Sequence, residues 1–277
     1  MKTLLLVLAH PDDESFACGG TIAKYAERGC LVHLICATRG EAGSFGSYKD
    51  LSGEELGDIR QKELETSGTM LGITSVTFLG YKDGVLAGQH SGELEDKIYR
   101  QMTVISPDVV ITFEPNGISN HPDHSKICLS TTFAFQKYAA DMDSLKNGAA
   151  KLGQRAKKSF EQVSSEHEQI KEPKLYYACM PESVAAYLKK QKNIPAESFG
   201  KSWIGISDKF VTTVIDIDKY RTEKMKALKA HVSQQIDVDR FLSLSTQPLL
   251  RQEYFILHMQ GIHEVFMGRN DRVAHRL

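Results

Sequence analysis

Two short stretches of the chain combine residue types that could do chemistry. His10-Pro11-Asp12-Asp13-Glu14 follows the apolar run Leu4 to Ala9. His121-Pro122-Asp123-His124 follows the β-branched run Asp108 to Phe113 and a turn over Glu114 to Gly117. Imidazole nitrogen and carboxylate oxygen are ligands that zinc accepts, and a catalytic zinc keeps one coordination position open for water. The two-residue gap between His10 and Asp13 lets both reach one ion if the chain turns there, and His124 fits as the third ligand. That arrangement leaves Asp12 free beside the ion. A carboxylate in that place can take a proton from the attacking water and hand it to the departing group, a role that contributes ~10²–10⁴ in rate. His121, three residues before His124, would then face the carbonyl oxygen, as an imidazolium or as a hydrogen-bond donor to an oxyanion. Asp123 would orient one of the rings through its other nitrogen. Glu14 reads as the start of the next turn, near the positive end of a helix.

Strands must deliver these residues. Leu4 to Leu8, Leu31 to Thr38, Val76 to Leu79 and Asp108 to Phe113 are apolar, β-branched runs of strand length. Between them lie helical stretches: Thr21 to Arg28 with Gly29 as a stop, Leu51 to Leu71 with Gly72 as a stop, and Gly92 to Ile105. Ser15 to Gly20 reads as a small-residue turn. Strand and helix in alternation imply right-handed crossovers and an α/β, Rossmann-like, mostly parallel sheet with helices on both faces. The loops after its strands converge at one end, where ligands bind in such sheets.

Past about residue 137 the character changes. Long polar helical stretches occupy Asp141 to Gln169, a strand-like piece sits at Leu175 to Cys179, and Lys189-Lys190-Gln191-Lys192 is basic. Residues 137–201 are therefore expected to form an insertion packed beside the sheet, as a lid, an oligomer contact or a solvated helical excursion, within one domain spanning 1–277. Phe210 to Ile217 and Glu253 to Met259 read as further strands. Asp218 is placed as the cap of a helix through His231, with Lys219, Lys224, Lys226 and Lys229 on exposed positions.

The two His-Pro-Asp words closely resemble those of the LmbE-like, or PIG-L, family of zinc-dependent de-N-acetylases. Further matches are Thr38-Arg39-Gly40-Glu41-Ala42-Gly43, Arg60 with Glu63-Leu64, Leu71-Gly72-Ile73, Tyr81-Lys82-Asp83-Gly84 and Ala227 to Gln234. The likeness is strong over residues 1 to about 136, patchy over 203–260 and not evident across 137–201. It implies zinc on His10, Asp13 and His124, Asp12 as general base, and removal of acetyl from an N-acetylglucosamine-type conjugate by a metal-bound water. The metal lowers the pKa of that water to about 7 and polarises the amide carbonyl. Arg60, Asp83, Glu41 and His231 become candidates for binding the sugar. A surface ion pair with Glu63 or Glu65 is the competing account of Arg60, and a partly buried structural histidine that of His231. Two His and one carboxylate also suit Fe²⁺.

Composition sets bounds around this reading. The 277 residues are 41% hydrophobic and 25% charged with a formal charge of −1, ordinary for a soluble globular protein and without the basic excess of a nucleic-acid binder. The five scattered cysteines form no Cys-x-x-Cys word, which points to a reducing, cytoplasmic setting. The apolar start ends in His-Pro-Asp-Asp-Glu instead of a cleavage site, and no run reaches the ~18 apolar residues of a membrane helix. The expected partner is a small amino-sugar conjugate, with a homo-oligomer possible. Three other readings stand beside this one: hydrolysis of another amide or an ester, metal-dependent sugar binding without turnover, and a dinucleotide-dependent oxidoreductase. The last lacks a Gly-x-Gly-x-x-Gly turn after the first strand.

Overall fold

The computed structural model describes residues 1–46, 48, 51–90, 92–157, 172–244, 247–265 and 273–277, with the side chains of 148–157 excepted. Its sheet is built on β1 (Thr3–Leu8), β2 (Leu31–Thr38), β3 (Ser75–Tyr81), β4 (Val109–Phe113) and β5 (Lys174–Cys179). These five pair in parallel in the order β3-β2-β1-β4-β5. Antiparallel strands complete the β5 edge: β9 (Gln252–Gln260) pairs with β5, and β8 (Thr213–Asp216) and β10 (His263–Glu264) pair with β9. β1 is solvent-free from Leu4 to Leu8, as a parallel strand covered on both faces must be.

The helices follow from the crossovers. α1 (Asp13–Glu27) and α2 (Gly53–Leu71) step outward from β1 to β3, whereas α3 (Glu93–Ile105) returns from β3 across the sheet to β4. Right-handed connections in opposite directions put these helices on opposite faces. Accordingly α1 and α2 pack with α7 (Arg221–Ala230), and α3 packs with α5 (Pro122–Lys157). α2 begins with a capping box in which Ser52 and Glu55 satisfy each other's backbone amides, and it ends at Gly72 with φ 79°. Short helices α4 (Gly117–Asn120), α6 (Glu182–Lys190) and α8 (Gln235–Leu242), and a two-stranded hairpin of β6 (Glu197–Ser198) and β7 (Lys201–Ser202), complete the described α-helices and strands.

Strand order reverses between β1 and β4, and both His-Pro-Asp words lie just beyond the carboxyl ends of those two adjacent strands. This is the switch point at which a doubly wound sheet opens a crevice.

Five expectations need correction. Ser15 to Gly20 is helix, not turn: its glycines serve close packing, since a Cβ on Gly20 would stand 2.5 Å from Ile217 and one on Gly19 3.2 Å from Lys224. The strand at Leu175 to Cys179 is not part of an excursion beside the sheet; as β5 it is an inner strand between β4 and β9. Of the polar helix expected over 141–169, residues 141–157 are the far half of α5, which starts at Pro122 within the second motif, and 158–169 lie outside the described residues. Lys224 is not exposed. It is completely buried against Glu253, at 2.7 Å, while Asp218 makes no side-chain cap of α7, which starts at Arg221.

Candidate metal centre and active site

Each motif is shaped by its own backbone. After β1 the chain turns at Asp12, whose φ of 108° is left-handed, a conformation that costs a non-glycine residue roughly 1–3 kcal/mol and clusters at functional sites. The turn is held from several sides. Glu14 accepts the Asp12 amide (3.0 Å), and Arg60 donates to Pro11 O (2.6 Å) and to Asp12 Oδ2 (3.2 Å). Asp13 then opens α1, and its Oδ2 accepts the amides of Ala9 (3.2 Å) and His10 (2.8 Å). Beyond β4, buried Glu114 accepts the amides of Asn116 (2.6 Å) and Ile118 (2.7 Å). Gly117, at φ 70°, packs where a Cβ would collide with His124 at 2.5 Å. The His124 ring stacks on Phe113 with centroids 4.1 Å apart.

The structure brings His10, Asp13 and His124 together. His10 Nδ1 lies 3.1 Å from His124 Nε2, His124 Nε2 lies 3.2 Å from Asp13 Oδ1, and His10 Nδ1 lies 3.7 Å from Asp13 Oδ2. The other ring nitrogens are committed. His124 Nδ1 is 3.0 Å from the Gly117 carbonyl, which can only accept, so that nitrogen carries the proton. His10 Nε2 faces Asp83 Oδ1 at 2.9 Å and Asp123 Oδ2 at 3.4 Å, so it too is the protonated one. Two imidazole lone pairs and a carboxylate oxygen thus converge on one point. Atoms bound at about 2.0–2.2 Å to a tetrahedral ion stand about 3.3 Å apart. The spacing and the donor set therefore fit a divalent metal.

Electrostatics agree. Burial opposes a charge on His10, but the carboxylates of Asp123, Asp83 and Asp13 outweigh it and raise its pKa to about 10. The pocket demands positive charge, as a proton or as a cation. Asp13 is held well below the usual carboxylate range, its burial offset by His124 and His10. Burial pushes Asp12 up to about 6, against the pull of Arg60. His121 is pushed down to about 4 by burial and by the facing His124 and His10 rings, whose centroids are each 4.7 Å away. It is therefore a neutral ring. Its Nδ1 accepts the Asp123 amide at 3.2 Å, which leaves the proton on Nε2 as a donor. Of the two forms considered for His121, the geometry favours the hydrogen-bond donor over the imidazolium.

The other candidates divide. Asp123 accepts the amides of Gly84 (2.8 Å) and Leu86 (3.1 Å) besides facing His10. Asp83 faces His10 Nε2 and accepts the Ala42 amide (3.0 Å), contacts that orient the His10 ring. Arg60 is buried, with Gly40 O (2.9 Å) as its further partner, so its ion pair is with Asp12 inside the site and not with Glu63 or Glu65 at the surface. Gly40 and Gly43 leave room for its guanidinium, 2.3 and 2.2 Å from where their Cβ atoms would be. Glu41 stays in its loop, accepting the Asp83 amide at 3.3 Å. His231 has no exposure and pairs with Glu14 at 2.8 Å behind the Asp12 turn. Sequence reasoning underrated Glu14. Its carboxylate gathers Ser15 Oγ (2.6 Å), Ser67 Oγ (2.5 Å), His231 and the Asp12 amide. Two acids in a row followed by a third at a helix start was the available signal.

Comparison with known proteins supplies the family. The family model described as GlcNAc-PI de-N-acetylase (PIG-L) matches residues 5–135. A 1D-myo-inositol 2-acetamido-2-deoxy-alpha-D-glucopyranoside deacetylase of Saccharomonospora viridis is 30% identical over 279 residues, covering 92% of this chain and 94% of that protein. A probable N-acetyl-alpha-D-glucosaminyl L-malate deacetylase 2 of Bacillus anthracis is 38% identical over 124 residues, covering 44% of this chain and 54% of that protein. The N,N'-diacetylchitobiose deacetylase of Pyrococcus horikoshii superimposes with a TM-score of 0.61 at 22% identity, over 98% of this chain and 88% of that one. GalB, the 4-carboxy-2-hydroxymuconate hydratase of Pseudomonas putida, also reaches 0.61, at 17% identity over 96% and 100% of the two chains. Those two likenesses establish the fold. No described helix is long and apolar enough to cross a membrane. The family match over the first half and the relative aligned along nearly the whole length place the chain in the GlcNAc-PI de-N-acetylase (PIG-L) family.

Proposed function

We propose that the protein is a metal-dependent hydrolase that removes the acetyl group from an N-acetylglucosamine-type conjugate. The observation that carries this reading is the convergence of His10 Nδ1, His124 Nε2 and Asp13 Oδ1, with 3.1 and 3.2 Å between successive atoms. The names of the relatives supply the substrate class. His10, Asp13 and His124 would hold the ion, zinc in the first instance, with Fe²⁺ the alternative that the same ligands admit. When bound, a divalent ion makes water acidic and polarises the acetamide carbonyl.

The chain's own groups do the rest. Asp12 takes the proton of the attacking water. With its pKa near 6 it is mostly ionised at neutral pH, yet basic enough to hold the proton. It returns that proton to the amine nitrogen as the C–N bond breaks and acetate leaves. Arg60 keeps the Asp12 carboxylate in place from one side. His121 donates a hydrogen bond from Nε2–H to the carbonyl oxygen as negative charge develops there and keeps its proton. Asp83 and Asp123 hold the His10 ring so that Nδ1, not Nε2, meets the ion.

The test is metal analysis of the purified protein together with amine release from a panel of N-acetylglucosaminyl conjugates. Asp12→Asn is expected to retain metal and lose at least about 10²-fold in kcat, in line with the worth of a general base, whereas His124→Ala loses the metal. Deacetylation by Asp12→Asn at the parent rate would sink the assignment.

A further inference from the structure

One aromatic ring at the site, among the described residues, belongs neither to the motifs nor to the strands that deliver them. Phe199 caps the β6–β7 hairpin, and its ring meets that of His121 edge to face, with centroids 4.5 Å apart. His121 is in turn 4.7 Å from both His10 and His124. Phe199 therefore stands one ring away from the metal centre, in the segment where the family likeness lapses. It is nevertheless 57% exposed.

The chain accepts unfavourable local structure to put it there. Phe199 has φ 49° and Gly200 φ 70°, the two left-handed residues of a hairpin turn that asparagine-glycine normally fills. A bulky aromatic is uncommon in that conformation. The hairpin is also fastened to the second motif: Asn120, itself at φ 62°, donates from Nδ2 to the carbonyls of Lys201 (3.4 Å) and Ser202 (3.3 Å). A strained, tethered turn thus presents an open aromatic face beside His121. Ligand sites pair such apolar walls with a few placed polar groups.

We infer that Phe199 is a specificity-determining platform on which the C–H face of the pyranose ring bearing the acetamide packs. This rests on the proposed function for the identity of the sugar. A pyranose with mostly equatorial substituents offers a flat apolar face, and an aromatic ring covers it without needing hydrogen-bond partners. The contact is present before and after the acetyl group leaves, so it contributes uniform binding and acts on KM, not on kcat.

Trp203, the single tryptophan of the chain, directly follows β7 and gives a signal independent of turnover. Titration with methyl N-acetylglucosaminide should give a saturable fluorescence change, about tenfold weaker in Phe199→Ala and unchanged in Phe199→Tyr. With the best conjugate of the panel, Phe199→Ala should raise KM about tenfold and leave kcat within about threefold. The inference is overturned if Phe199→Ala binds the glycoside as the parent does, if the parent does not bind it, or if kcat falls while KM holds, because the ring would then only seat His121. Phe199-dependent binding without deacetylation of any conjugate would retain the platform and remove the proposed reaction. Turnover with binding indifferent to Phe199 would do the reverse.

Discussion

Lys224→Met should destabilise the protein by about 3–5 kcal/mol, the cost of breaking a buried ion pair from one side. Lys224 and Glu253 are 0% and 1% exposed and 2.7 Å apart. The pair is built into α1. Glu253 accepts the amides of Gly20 (2.9 Å) and Thr21 (2.7 Å), and Lys224 donates to Phe16 O at 2.9 Å. Methionine fills the volume but leaves a buried carboxylate without its cation and strips Phe16 O of that partner. At about 2–4 °C per kcal/mol for a chain of this size, Tm should fall by roughly 6–20 °C. Adding Glu253→Gln to Lys224→Met removes the stranded charge, keeps an acceptor for one of the two α1 amides, which use different oxygens of Glu253, and should recover at least about 1 kcal/mol through the coupling between the sites. Calorimetry with urea unfolding of the parent and the three variants measures this. A loss below about 1 kcal/mol in Lys224→Met, or a double variant as unstable as the sum of the singles, would refute the account of a strongly coupled interior pair.

Asp83→Ala should weaken metal binding 10–100-fold, as loss of an orienting partner does, measured by competition with a chelator; unchanged affinity would leave Asp83 without a role at His10. Glu95 should make stability depend on pH. Burial raises its pKa, but Ser130 Oγ (2.7 Å), the Gly92 amide (2.6 Å) and Lys126 Nζ (3.1 Å) prevail and hold it at about 2, against 4.5 ordinarily. A lowered folded-state value contributes stability that is fully present above pH 4.5 and lost as pH falls through about 2. The stability gap between the parent and Glu95→Gln should therefore close across that window in urea titrations, and a constant gap would contradict the assignment. Gly20→Ala places a methyl group 2.5 Å from Ile217 and should cost about 1–3 kcal/mol by overpacking, despite alanine's better helix propensity; a neutral or stabilising result would show that α1 and Ile217 can part freely.

The cluster of candidate metal ligands and the parallel core were legible because their signals are local. An apolar run that ends in His-x-x-Asp puts both groups at a strand end whatever surrounds it, and the second motif repeats the pattern. The strands β1 to β4 and the long helix α2 follow from residue patterning within each segment. Residues 137–201 misled because composition there reports a polar helix, while the place of β5 is set by pairing with β4 and β9, far apart in sequence. Lys224 misled for a similar reason: its helical neighbours are polar, and the Glu253 that buries it lies on β9.

The sequence by itself determined which groups are candidates to bind a metal and which carboxylate is the candidate for proton transfer, since those follow from side-chain chemistry and short spacing. Only the tertiary structure decided what Arg60, Asp83, Glu14 and His231 do. Each is a charged or titratable side chain that must find compensation once buried, and the partner it finds comes from another element: Asp12 for Arg60, His10 for Asp83, and Glu14 and His231 for each other. The same long-range folding brings the Phe199 hairpin against His121. Residue type sets what a group can do, and the three-dimensional neighbourhood selects which of those capacities is used.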